Sequence, residues 1–440
     1  MTRVLITTVP AAGHVRPTVP IARHLVAAGH EVVWYGGRRF RPMIERTGAR
    51  FVPITADLRF DPDGDALEST DGDRTGGGIR GLRAVVHDIF VASIPAYAAD
   101  LERHIDAVAP DVVLTDHTFM ASPLLARRRG IPTVVFALGP LAVSSIDTAP
   151  FGTGLAPSSS TLGRLRNRAL ALLVQQVLLR RAQSAARRIV AGMGAGPFPG
   201  FFADWSLYLA DRYLQAGAPE FEYPRSDLPR PIDFIGITDQ KGVDHFEPPA
   251  WWTDVERARA SGVPIVVTTQ GSASTKHGQL LLPAVEALAG RDVLHVATTV
   301  TREPADVLPA DRRPVNLRLE RFVPFTELLP HADLLVTNGG YGGVQTSLSF
   351  GVPLVVAGRT EDKMETGARV RWSGTGVSVD ADQPSPAALG RAVDRVLADG
   401  SFRTRARRFR DVYARYSGAA TAARIIVDTA TAAGHRRTVA

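Results

Sequence analysis

No cysteine occurs among the 440 residues, so disulfide staples and thiolate metal centres are excluded. Lysine is almost missing too. It stands only at Lys241, Lys276 and Lys363, so nearly all of the 51 basic residues are arginine; against 44 acids they leave a net charge of +7. The arginines are interleaved with acids and alanines, not gathered into a basic tract, and nucleic acid is not expected as a partner. No stretch approaches the roughly 20 apolar residues of a membrane span. The opening MTRVLITTVP runs directly into a β-branched segment, without the apolar core and cleavage site of a secretory leader. A cytoplasmic protein is therefore expected. The first strand is not followed by G-x-G-x-x-G, and there is no H-E-x-x-H, so a dinucleotide fingerprint and a zincin site are both lacking. The D-x-D spacings at Asp61–Asp63 and Asp71–Asp73 fall in a polar, glycine-rich loop and read as solvated. No metal and no cofactor are expected.

What is present is 45% hydrophobic content in a chain long enough for two domains. Short apolar, β-branched runs alternate with helical patterns: strand 3–8, helix 18–28 stopped by Gly29, strand 30–35, helix 40–47, strand 50–54. After a long loop (55–78) come a helical stretch, 79–105, broken near Pro95, a strand at 110–116, a helix to Arg129 and a strand at 133–137. A loop, 138–163, precedes a long helix, 164–190, whose leucines and valines form one apolar face, read as a core face. Short strands are expected at 207–209 and 232–235. The polar stretch 236–252 reads as a linker between an N-terminal domain (1–235) and a C-terminal domain (253–418). The second half repeats the alternation, and 419–440 is a final alanine-rich helix. Alternation of this kind predicts doubly wound α/β halves.

The stretch 321–370 organises the second half. An apolar strand, 333–337, leads into Asn338-Gly339-Gly340-Tyr341-Gly342-Gly343, and a helix follows. Glycines let backbone approach an anion, and the unpaired N–H groups of a helix start point at it. Thr269-Gln270-Gly271-Ser272 after another strand is a second phosphate-loop candidate. A polar loop ending in Asp362-Lys363 follows the next strand.

Phe322-Val323-Pro324, the Asn338–Gly342 turn and the Asp362-Lys363 pair together resemble the donor-binding signature of family 1 glycosyltransferases, with an aromatic residue before V-P, then H-G-G-x-G-S/T, then Asp-Gln. Gly13-His14-Val15-Arg16-Pro17 resembles the same family's G-H-x-x-P loop. The resemblance spans nearly the whole chain and implies a GT-B fold of two Rossmann-like domains facing across a cleft, with the last helix returning to the first domain. Four places differ: Asn338 replaces the signature's His, Gly343 its Ser/Thr, Thr346 its ribose-gripping Glu and Lys363 its Gln. The donor's identity stays open between UDP- and dTDP-sugars.

By the resemblance His14 is the general base and Asp116 its partner. Histidine suits the role because its pKa of about 6.5 lies near working pH. Asp116 could instead cap the helix start at Thr118, and His117 is a rival base. The donor would be held by Gln270, Ser272, Phe322, Val323, Asn338, Gly340, Tyr341, Gly342, Gly343, Asp362 and Lys363. Phe119, Phe136 and Phe151, with Phe201, Phe202 and Trp205, are candidates for an apolar acceptor wall. The expected activity is inverting, metal-independent transfer of a hexose or deoxyhexose to a hydroxyl of a lipophilic small molecule, by a monomer or homodimer. A nucleotide-sugar epimerase of the same architecture and a non-catalytic helper remain as other readings.

Overall fold

The β-branched runs assemble into two all-parallel sheets. β1 (Arg3–Thr7), β2 (Glu31–Gly36), β3 (Arg50–Pro53), β4 (Val112–Asp116), β5 (Thr133–Ala137), β6 (Arg212–Ala216) and β7 (Asp233–Gly236) form the first, in the order β3-β2-β1-β4-β5-β6-β7. β8 (Ile265–Thr269), β9 (Leu294–Thr298), β10 (Leu317–Glu320), β11 (Leu334–Thr337), β12 (Leu354–Ala357) and β13 (Gly376–Val379) form the second, in the order β10-β9-β8-β11-β12-β13. This is the doubly wound architecture expected from the alternation. The computed structural model describes residues 1–58, 60–64, 79–238, 246–271, 277–360 and 362–439. Every residue of β4, β5, β8 and β9 is buried, as helices on both faces of a parallel sheet require. That is why these strands read as continuous apolar runs.

Each sheet reverses its winding once, between β1 and β4 and between β8 and β11. Ligands of open α/β sheets sit at such switch points, beyond the carboxyl ends of the strands. In the first sheet Thr7 lies opposite Thr115, and their hydroxyls are bonded at 2.9 Å. In the second, Thr337 lies opposite Thr269.

Three expectations need correction. The strand read at 207–209 lies in a helix, Trp205–Leu209, whose buried Trp205 packs into the core beneath the first sheet; the strand is β6, a few residues later. Three apolar residues carry no period that separates helix from strand. β13 was not foreseen. The long helix is really two, Thr161–Leu172 and Arg180–Gly192, joined by a wide π-type turn at Leu173–Leu178. Its leucine-rich face is not core: Leu173 and Val177 are 48% and 59% exposed. The buried face belongs to the second helix and is built from Ala182, Ala185, Ala186 and Val190. The break near Pro95 is observed, with Pro95 in the first turn of the helix Ile94–Val108.

The last helix, Gly418–Val439, packs against the first sheet, with Ala422 and Ile426 in one cluster with Val4, Ile6 and Leu214. Its entry needs glycine, since a Cβ at Gly418 would lie 2.1 Å from the Ile237 carbonyl. Among the described residues no helix is long and apolar enough to cross a membrane.

Candidate active site at the two switch points

At the first switch point the chain leaves β1 and forms one helical turn, Ala12–Val15, then a 3₁₀ turn, Arg16–Thr18, with Pro17. The sequence reading had a loop here. Buried Ala12 and Val15 fix the turn's rotation, and the His14 carbonyl accepts a 2.9 Å bond from the Thr18 hydroxyl. Asp116 ends β4 next door. His14 Nδ1 hydrogen-bonds Asp116 Oδ2, joining two segments that lie 102 residues apart. The Asp116 side chain is fully buried, while that of His14 is 26% exposed. The other carboxylate oxygen, Oδ1, accepts from Thr118 N at 2.8 Å and Thr118 Oγ1 at 2.9 Å. Asp116 therefore caps the turn at Thr118 and holds His14 at once, with different oxygens. His117 Nδ1 is 3.3 Å from Oδ1, and its ring stacks with that of His14 at 6.0 Å between centroids.

Burial pushes the Asp116 carboxyl up, but the adjacent imidazoles and their hydrogen bonds outweigh it and hold the group well below the usual carboxylate range. An ionised Asp116 fixes the His14 tautomer with hydrogen on Nδ1. Nε2 is then the nitrogen able to take a proton.

A small hollow lies next to Thr118 and Phe119, the residues that closely follow Asp116; His14 and Asp116 are not among its lining residues. Val9, on the way to His14, and Thr118 and Phe119, just after Asp116, form one side. Phe60, Phe90 and Tyr97 form much of the rest. The acceptor-wall candidates part company here: Phe202 and Trp205 are core residues, with Phe201 packed against them. Phe119 lines the hollow, its ring edge-on to Tyr97 at 4.7 Å. Phe136 is 1% exposed and packs into the core under the last helix, so it is not a wall residue; its strand is covered on that face. Phe151 is 41% exposed on the loop after β5. The sequence reading missed Phe60 and Phe90. The π-type turn Val85–Val91 presents Phe90, and only the break before Pro95 hinted at an irregular helix there.

At the second switch point the contacts are backbone and amide. Gly339 has φ +90°, and a Cβ there would lie 2.6 Å from Val356 Cγ1, so the turn requires glycine. Asn338 Nδ2 donates to the Gln270 carbonyl, and Asn338 Oδ1 accepts from Gly340 N at 3.3 Å. The buried Gln270 Oε1 accepts from Leu280 N and Leu281 N at 3.3 and 3.2 Å and holds the next helix start. Ser272 lies outside the described residues. Helix Tyr341–Ser349 begins at Gly340 without a side-chain cap, and the first-turn N–H groups of a helix have no intrahelical acceptor. A Cβ at Gly342 or Gly343 would meet nothing within 4 Å. Open space thus stands before a row of N–H groups, an arrangement that suits an anion.

Tyr341 departs from the expectation as a side chain. It is 3% exposed, and its hydroxyl donates to Ala216 O at 3.0 Å, away from the cradle toward the first sheet. Val323 is a core residue at 2% exposure, whereas Phe322 is 62% exposed. Asp362 and Lys363 open the helix Lys363–Ser373. Asp362 Oδ2 lies 3.5 Å from where a Cβ on Gly139 would stand, so it faces the loop after β5. Lys363 Nζ donates to Thr360 Oγ1 at 3.1 Å.

Residues 291–427 match the family model described as erythromycin biosynthesis protein CIII-like, C-terminal domain. The chain is 43% identical over 414 residues to 4'-demethylrebeccamycin synthase of Lentzea aerocolonigenes, covering 94% of this chain and 96% of that one. It is 33% identical over 423 residues to UDP-glycosyltransferase 2 of Phaeomoniella chlamydospora, covering 93% and 92%. In fold it is similar to CalG4, the calicheamicin glycosyltransferase, with a TM-score of 0.72, 20% identity and 98% of both chains covered. With two doubly wound sheets, a histidine–carboxylate pair at one switch point, an uncapped helix start after a glycine turn at the other, and relatives matched from end to end, the chain belongs to the family 1, GT-B natural-product glycosyltransferases and is a glycosyltransferase.

Proposed function

We propose that the chain transfers a hexose or deoxyhexose from a UDP- or dTDP-sugar to a hydroxyl of a lipophilic small molecule, with inversion, without a metal ion and in the cytoplasm. The observation that carries this reading is the His14–Asp116 pair at the carboxyl ends of β1 and β4. An acceptor hydroxyl brought up to the pair loses its proton to His14 Nε2 as its oxygen bonds the anomeric carbon. The bond from that carbon to the diphosphate oxygen breaks in the same step. Asp116 stabilises the imidazolium that forms. The first-turn N–H groups of Tyr341, Gly342 and Gly343 receive the charge that develops on the leaving diphosphate, with dipoles already oriented for it. Asp362 and Lys363 hold the sugar between the two sheets. Among the described residues the one group of three side chains close enough to share an ion is His14, Asp116 and His117. It stands at the proton-transfer site. The names of the relatives support a natural-product acceptor and leave UDP available as donor nucleotide.

The test is calorimetric titration of UDP, dTDP and GDP into the purified protein with chelator present, followed by proton NMR of a transfer product. Binding of UDP or dTDP and an anomeric coupling opposite to the donor's are expected. No binding by any nucleotide, or retained configuration, overturns the reading.

A further inference from the structure

Four charged side chains are sealed between the two sheets. Arg369 (1% exposed side chain) pairs with Glu222 (3%) at 2.9 Å and with Glu365 (6%) at 3.0 Å, and Arg225 (3%) lies 3.9 Å from Glu222. The charges cancel, as burial demands. Glu365 does something the ion cluster does not require. Its Oε2 meets Arg369, while its Oε1 accepts two backbone bonds, from Gly152 N and Gly154 N, each 2.9 Å. Those amides belong to the loop after β5. That loop carries Phe151 just before them in sequence and presents Gly139 to Asp362. Glu365 sits in the first turn of the very helix that Asp362 and Lys363 open. One carboxylate thus ties the helix start proposed to hold the donor sugar to the loop after β5, on the side of the first sheet.

Resting on the transferase reading above, we infer that Glu365 is a positioning residue for the acceptor. Its Oε1 sets the loop at 150–154, so that the donor-side helix and the acceptor loop move as one unit. A carboxylate oxygen accepting two N–H bonds holds backbone more tightly than neutral acceptors do. Gly152 and Gly154 have φ +90° and +62°, which turns both amides in the backbone conformation that glycine allows.

The experiment is steady-state transfer from UDP-glucose and dTDP-glucose to umbelliferone, a planar fluorescent phenol, in Glu365→Ala and Glu365→Gln. In the alanine variant KM for umbelliferone is expected to rise about tenfold or more, while KM for the sugar nucleotide stays within about twofold. Glutamine retains an oxygen for the two amides but not the charge facing Arg369. It should therefore recover most of the acceptor KM while still losing thermal stability. An unmoved acceptor KM in Glu365→Ala, or an equal rise in both variants, assigns Glu365 to the ion cluster alone and overturns the inference. Should neither variant fold, Gly154→Ala keeps the ion cluster and distorts the loop, since its Cβ would meet Met364 Cγ at 2.8 Å. The same acceptor-specific rise is expected there, and its absence is equally fatal. If the wild-type chain transfers neither sugar to umbelliferone, amide hydrogen exchange decides. Saturating UDP or dTDP should slow exchange in the peptide spanning 150–154 by about tenfold or more. Nucleotide binding without that protection overturns the clamp, whereas no nucleotide binding at all overturns the transferase reading beneath it.

Discussion

The two sheets share one strand order, and they furnish their switch points with opposite chemistry. Beyond β1 and β4 stand an imidazole and a buried carboxylate, bonded to each other. Beyond β8 and β11 stand two amides and a row of glycines. A group that must gain and lose a proton has to titrate near working pH, and a neighbouring carboxylate orients it and stabilises its cation. A group that must receive negative charge at every pH is better made from N–H dipoles, which do not titrate and need no reorganisation. The same contrast appears between two histidines. His14 keeps a carboxylate partner and reaches solvent. His295, in β9, is buried with a 2.8 Å bond to Thr268 Oγ1, and burial pushes its pKa down to about 3.

The comparison can be broken most sharply at His14. His14→Ala should reduce turnover about a thousandfold or more while nucleotide affinity stays within about twofold. Titration of UDP or dTDP alongside kinetics checks both halves, and near-normal turnover would remove proton transfer from the first switch point. Asp116→Asn comes next, with a loss of about a hundredfold in kcat, because an amide neither stabilises the imidazolium nor enforces the tautomer. An acceptor KM that changes while kcat holds would reassign Asp116 to binding.

At the second switch point Gly343→Ala separates fold from function. Its Cβ would stand in open space, so urea unfolding should show stability unchanged or raised by about 0.5–1 kcal/mol, as for Gly→Ala in a helix. Nucleotide affinity should nevertheless drop by about tenfold, because the methyl intrudes before the helix start. Unchanged affinity would place the diphosphate elsewhere.

The smallest effect concerns His295. Its pKa is depressed on folding, so the neutral form is favoured and stability is complete above the ordinary histidine value of 6.5. As pH falls from there toward about 3, the unfolded chain takes up a proton that the folded one refuses. This single group then removes up to about 1.4 kcal/mol per pH unit. His295→Gln should flatten that part of the pH profile, read as urea midpoints at about pH 7 and about pH 5. A slope unchanged by the substitution would show that His295 protonates without penalty.

Much of the site was legible because its signals are local. Asn338 to Gly343 announces a tight turn at a helix start by composition alone, and Gly339 does adopt the left-handed conformation that composition suggests. His14 and Asp116 were each marked by position at the end of an apolar run and by resemblance. Tyr341 was legible as part of the turn but not in direction, since its hydroxyl answers to Ala216 and Glu222, 125 and 119 residues away. Phe136 and the leucines at 170–178 misled for one reason: apolar character says that a side chain prefers burial, not which surface is offered to it.

The sequence by itself determined the period and punctuation of the chain, and through them two doubly wound sheets and the residue types able to move a proton and cradle an anion. Only the tertiary structure decided which of these meet. It brought His14 onto Asp116, placed Phe60 and Phe90 around one hollow, and set Glu365 beneath amides 213 and 211 residues away. Backbone preferences act over a few residues and can be read in order along a chain. Contacts between residues hundreds apart follow from how the sheets and the helices on their faces close-pack, which no local pattern records.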